Sequence, residues 1–71
     1  MNKKALKSVM ALHGDTNRDL AQLLGKTVQS VSAKINENGS EFTQGEIVRI
    51  KDRYNLSAEQ IETIFFSPKV S

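Results

Sequence analysis

Seventy-one residues with no cysteine, no tryptophan, one proline and one histidine suffice for a single small domain, and they exclude a disulfide framework or a cysteine–histidine zinc site. At 38% hydrophobic and 25% charged the chain lies in the range of folded globular proteins, and its apolar runs fall far short of the ~20 residues that cross a bilayer. Net charge is only +2 but uneven: residues 1–36 carry six Lys/Arg against Asp15 and Asp19, whereas residues 37–71 carry four against six acids, a polarity that suits a one-sided phosphate-binding surface.

Hydrophobic spacing and helix punctuation predict five helices and no strand. The first, about Lys3 to Leu12, aligns Leu6, Val9, Met10 and His13 on one face before Gly14 stops it, with His13 a half-buried edge residue. The second opens on Thr16 with Asp19 three positions on, carries Leu20, Ala21, Leu23 and Leu24, and ends at Gly25, which enters the left-handed region without steric cost. Thr27 caps the third, whose core stripe is Val28, Val31 and Ile35. A polar, turn-forming stretch, residues 36–41, reads as an exposed loop. Thr43-Gln44-Gly45-Glu46 is a capping box opening the fourth helix, with Phe42 positioned to staple onto Ile47 and with Ile47, Ile50 and Tyr54 inward. Ser57-Ala58-Glu59-Gln60 repeats the device for the fifth, with Leu56 paired to Ile61 and with Ile64, Phe65 and Phe66 leading to Pro68; residues 67–71 are expected to fray.

Enzyme chemistry finds little support: there is no glycine-rich phosphate loop, no metal-ligand spacing and no histidine besides His13. The expectation is a binding protein with no cofactor and no metal. The start Met-Asn-Lys-Lys leads into no apolar stretch, so a cytoplasmic location, away from membranes, is also expected.

The feature with mechanical meaning is the pair of short helices joined by Gly25-Lys26-Thr27, because a three- to four-residue turn containing glycine sets two helices at about 90–120°. Ala21 supplies the small residue that such a crossing demands, and Val31 packs back on Leu20 and Leu24. These are the requirements of a DNA-binding helix-turn-helix, spanning about residues 17–36. Residues 14–25, then Ser30-Val31-Ser32-Ala33-Lys34-Ile35-Asn36, Phe42-Thr43, Glu46-Ile47, Asn55-Leu56-Ser57, Ile61 and Ile64-Phe65-Phe66 together resemble the lambda-repressor-like helix-turn-helix family, within it the small phage Cro and repressor-type regulators of Gram-positive bacteria. The resemblance implies an all-α, compact five-helix bundle over residues 1–71 and a transcriptional regulator that binds a double-stranded DNA operator as a dimer. It departs from the family at Asn17, commonly glutamine, and at Lys26, often apolar.

Helical geometry alone indicates which face of the third helix would meet DNA. With Val31 at 0°, Ile35 and Val28 fall at about 40° and 60°, which turns the opposite face, near about 210°, outward. Ala33 falls at about 200° and Gln29 at about 160°. Gln29 can pair with adenine N6/N7, Ala33 can touch a thymine methyl, and Thr27 and Ser32 can bond base edges or phosphates. Asn17, Arg18, Lys26, Ser30, Lys34 and Asn36 would serve the backbone. A serine-rich outward face also describes any solvated helix, and Arg49, Lys51 and Arg53 read as a solvated face beside Asp52. Phe65 and Phe66 diverge by about 100°, so one of them should be exposed. With Ile64 they predict a C-terminal homodimer interface, small enough to be weak in free solution and completed on DNA. A protein-interaction module, such as an antirepressor, is the alternative use of the same fold.

Overall fold

The computed structural model describes residues 1–37 and 39–66. Its helices are α1 (Lys3–Leu12), α2 (Asn17–Leu24), α3 (Val28–Ile35), α4 (Gln44–Tyr54) and α5 (Ala58–Ile61), the last widening into a π-helical turn over Glu62–Phe66. No strand occurs among the described residues. The all-α, five-helix fold expected from the spacing is therefore the fold adopted. The π turn replaces the single longer helix expected at the C-terminus, and its Ile64 carbonyl accepts the Asn2 N–H at 2.6 Å, joining the two ends of the described chain. Asn38 of the expected loop and the tail 67–71 lie outside the described residues.

Local chemistry fixes the helix ends. Asn2 accepts the Ala5 N–H, Thr27 the Ser30 N–H, and Thr43 and Ser57 head capping boxes with Glu46 and Gln60. At Thr16 the backbone N–H donates to Asp19 Oδ2 at 2.8 Å. Gly25 has φ 66°, the left-handed conformation, and the next N–H, from Lys26, reaches back to the Ala21 carbonyl at 2.9 Å. Asn55 ends α4 in the same way at φ 51°, with Leu56 donating to the Lys51 carbonyl.

The core collects Leu6 and Met10 of α1, Leu20, Ala21 and Leu24 of α2, Val31 and Ile35 of α3, and Ile50 and Tyr54 of α4, with Leu56 and Ile64 closing it. Each fully buried aliphatic among them contributes about 1.5–3 kcal/mol. Five expectations are corrected by the packing. Val28 is 43% exposed, because helical angle sets a side chain's direction but not whether another element lies over that turn. His13 is exposed, its ring resting on Tyr54 with centroids 4.8 Å apart and its Nδ1 donating to the Val9 carbonyl. Arg53 is no idle surface charge: it grips both carboxylate oxygens of Asp15, at 3.0 and 2.8 Å, and Arg49 donates to the Leu23 carbonyl. Ile64 belongs to the core, so it cannot lie in a surface interface. Lys34 is buried, as set out below.

Candidate nucleic-acid interface

Helix α2 ends at Gly25, the chain turns through Lys26, and Thr27 starts α3, so the two eight-residue helices pack directly through Leu20, Leu24, Val31 and Ile35. Ala21 is buried at the crossing, where a larger side chain would push α3 away. The buried face of α3 comprises Val31, Lys34 and Ile35. That arc centres near about 350° on the scale used above, which moves the outward centre to about 170°, on Gln29. Gln29, Thr27 and Asn36 are exposed; Ser30, Ser32 and Ala33 are half-buried. Asn17, at the start of α2, is half-buried, and Arg18 and Lys26 are exposed. Thr27 Oγ1 accepts the Ser30 N–H at 3.1 Å, which commits it to capping and leaves its hydroxyl hydrogen to donate elsewhere.

Lys34 leaves the set of phosphate candidates. Its Nζ donates to both carboxylate oxygens of Glu46, at 2.7 and 2.6 Å, and lies 6.0 Å from the Phe42 ring centroid. Burial opposes ionisation of Glu46, but the bonds from Lys34 and from the Thr43 N–H prevail and hold its carboxyl below the usual range. The pair ties α3 to the start of α4. No sequence signal marked it, since at about 300° Lys34 lies on the border between the two faces.

A second polar hub forms where Asp15 accepts from Arg53 and from the Tyr54 hydroxyl at 2.7 Å. The Arg53 bond, then that from Tyr54, keeps the Asp15 carboxyl ionised to lower pH than usual. Burial first, and Asp15 second, push the Tyr54 phenol upward, keeping it protonated. The hub fixes the α1–α2 turn against the end of α4.

Sequence reasoning placed Val28 in the core and gave no contact to Lys3 or Lys7. Val28 is exposed beside Gln29. Lys3 Nζ donates to Asn36 Oδ1 at 2.5 Å and Lys7 Nζ to Asn17 Oδ1 at 3.1 Å, bringing α1 next to both ends of the α2–α3 unit. The lopsided charge of residues 1–36 was the signal that pointed to these lysines. At the far end Phe65 packs edge-on against Phe42, 5.9 Å between centroids, while Phe66 is 62% exposed in a groove lined also by Lys51, Ala58, Ile61 and Glu62. One exposed aromatic of the two is what the sequence predicted.

Among the described residues no cluster of His, Asp or Glu is placed to hold a metal ion, and no helix is long and apolar enough to cross a membrane. Fold and geometry together define a small all-helical, five-helix domain. Comparison with protein-family models, curated proteins and solved structures finds no match.

Proposed function

We propose that this protein is a sequence-specific regulator that binds duplex DNA through α3, a binding protein and not an enzyme. The observation that carries the reading is α3 itself: a short helix anchored on one face by Val31, Lys34 and Ile35 that offers Gln29 at the middle of the opposite, unpacked face. A glutamine there has the acceptor and donor that complement adenine N6 and N7 in the major groove, and the Ala33 methyl group, about 40° round the helix from it, suits the thymine C5 methyl. Thr27 and Ser32 are the further candidates for base edges. Arg18 and Lys26, with Asn17, Ser30 and Asn36, serve the backbone. Phe66, exposed in its groove, supports a homodimer that brings two copies of α3 to half-sites about one helical turn, ~34 Å, apart.

The test is fluorescence anisotropy of labelled duplex DNA titrated with the protein at several salt concentrations. Saturable binding that weakens with salt supports the reading, and its absence at low salt rejects it. The exposed Phe66 also favours a second reading, in which the domain holds a partner protein such as an antirepressor. In that case the duplex titration is flat.

A further inference from the structure

Helix α1 carries Lys3, Lys4 and Lys7, all exposed, and no acidic residue in its first turn. Lys3 and Lys4 occupy its first two positions, the positive end of the helix dipole, where a cation is disfavoured. The Lys7 ammonium lies against Asn17, the first residue of α2, and so beside a second positive helix end. Lys3 reaches Asn36, where α3 ends.

The partners of these two lysines are neutral amides. An amide oxygen orients an ammonium without cancelling its charge. Three other cations of the fold meet carboxylates: Lys34 on Glu46, Arg53 on Asp15 and the N-terminal ammonium on Glu37, at 2.6 to 2.8 Å. Among the described residues no carboxylate bonds Lys3 or Lys7. With Lys34 held inside, Arg18 and Lys26 are the exposed cations of the α2–α3 unit itself.

We propose that Lys3 and Lys7 are a phosphate clamp: two ammonium groups four residues apart on one face of α1, flanking the start of α2 and the end of α3, that bind backbone phosphates of the duplex read by α3. Asn17 and Asn36 are then positioning residues that hold the lysines toward the nucleic acid. The proposal rests on the DNA-binding reading and extends it, placing much of the sequence-independent affinity on a helix outside the α2–α3 unit. An arriving phosphate also relieves the unfavourable placement of the Lys7 ammonium beside the positive end of α2.

The experiment is an anisotropy titration of labelled random-sequence duplex DNA over a salt series, using the wild type, Lys3→Gln/Lys7→Gln and Lys3→Arg/Lys7→Arg. Each phosphate contact contributes about 0.9 to the slope of log affinity against log salt, so the glutamine variant should lower the slope by about two. Its melting temperature should match that of the wild type, and the arginine variant should restore the slope. A wild type that binds while the glutamine variant keeps the full slope overturns the clamp, as does lost affinity with an unchanged slope. A wild type that does not bind duplex DNA overturns the DNA-binding reading and the clamp with it, so the wild-type titration alone separates the two failures.

Discussion

The two faces of α3 are built from similar material and put to different use. Inward lie Val31, Ile35 and a lysine; outward lie a glutamine and the half-buried Ala33, with Val28 partly uncovered at the edge of the inward face. What separates them is what stands opposite. Val31 and Ile35 meet Leu20 and Leu24, and Lys34 meets a carboxylate, so every group on that side is satisfied within the fold. Gln29 is exposed and Val28 is 43% exposed, and what they present to solvent remains available to a ligand. The role of a residue on this helix follows from its partner across space more than from its type.

The inward face is most vulnerable at Val31, which is fully buried. Val31→Asp places an unpaired charge in the core and should cost more than about 4 kcal/mol, unfolding the domain. Circular dichroism should then show loss of helix, and a folded, merely inactive variant would contradict the inward face described here.

The buried pair comes next. Lys34→Met alone leaves Glu46 buried without its counter-charge, which should cost about 3–5 kcal/mol. Lys34→Met/Glu46→Leu should recover most of that loss, less the contribution of the capping box that Glu46 completes. Urea denaturation of both variants checks the pattern; equal losses in the two would show that the pair is not the unit of stabilisation.

Acid should dismantle the same framework without touching the outward face directly. Asp15 and Glu46 both have lowered folded-state pKa values, so at pH 3–4, about the unfolded carboxyl values, the unfolded chain binds more protons than the native one. Their contribution is present above that range and is lost as pH falls through the folded values. Thermal melts between pH 7 and 2 should show the fall, and Asp15→Asn should flatten it.

Gln29→Ala probes the outward face. It should leave the melting temperature unchanged, cost about 1–3 kcal/mol at a preferred DNA site and cost little on random sequence. Equal losses on both duplexes would remove Gln29 from base reading. Phe66→Ala should also leave the domain folded, since that side chain is already largely in solvent. Sedimentation should show a folded protein with weakened self-association, and its affinity for a double site should drop towards that for a single half-site.

Much of this architecture was legible in the sequence, for a physical reason. Caps and left-handed ends are made by residues a few positions apart, so Thr16, Thr27, Thr43, Ser57 and Gly25 announced the helix ends directly. Helical period likewise gave Leu6, Met10, Val31 and Ile35 as core. It could not give partners. Lys34 with Glu46, Asp15 with Arg53, and Lys3 with Asn36 join residues on different helices, and no spacing rule encodes which two helices will touch. Val28 was misplaced for the same reason, as period supplies a direction but no neighbour.

The measurement that bears most directly on the outward face of α3 is selection of binding sites from a pool of random duplex DNA by the wild-type protein. The account predicts an enriched inverted repeat, with half-sites about one helical turn, ~34 Å, apart and with an adenine whose selection is lost in Gln29→Ala. A pool that stays unenriched after repeated rounds, from a protein shown to be folded, would contradict it.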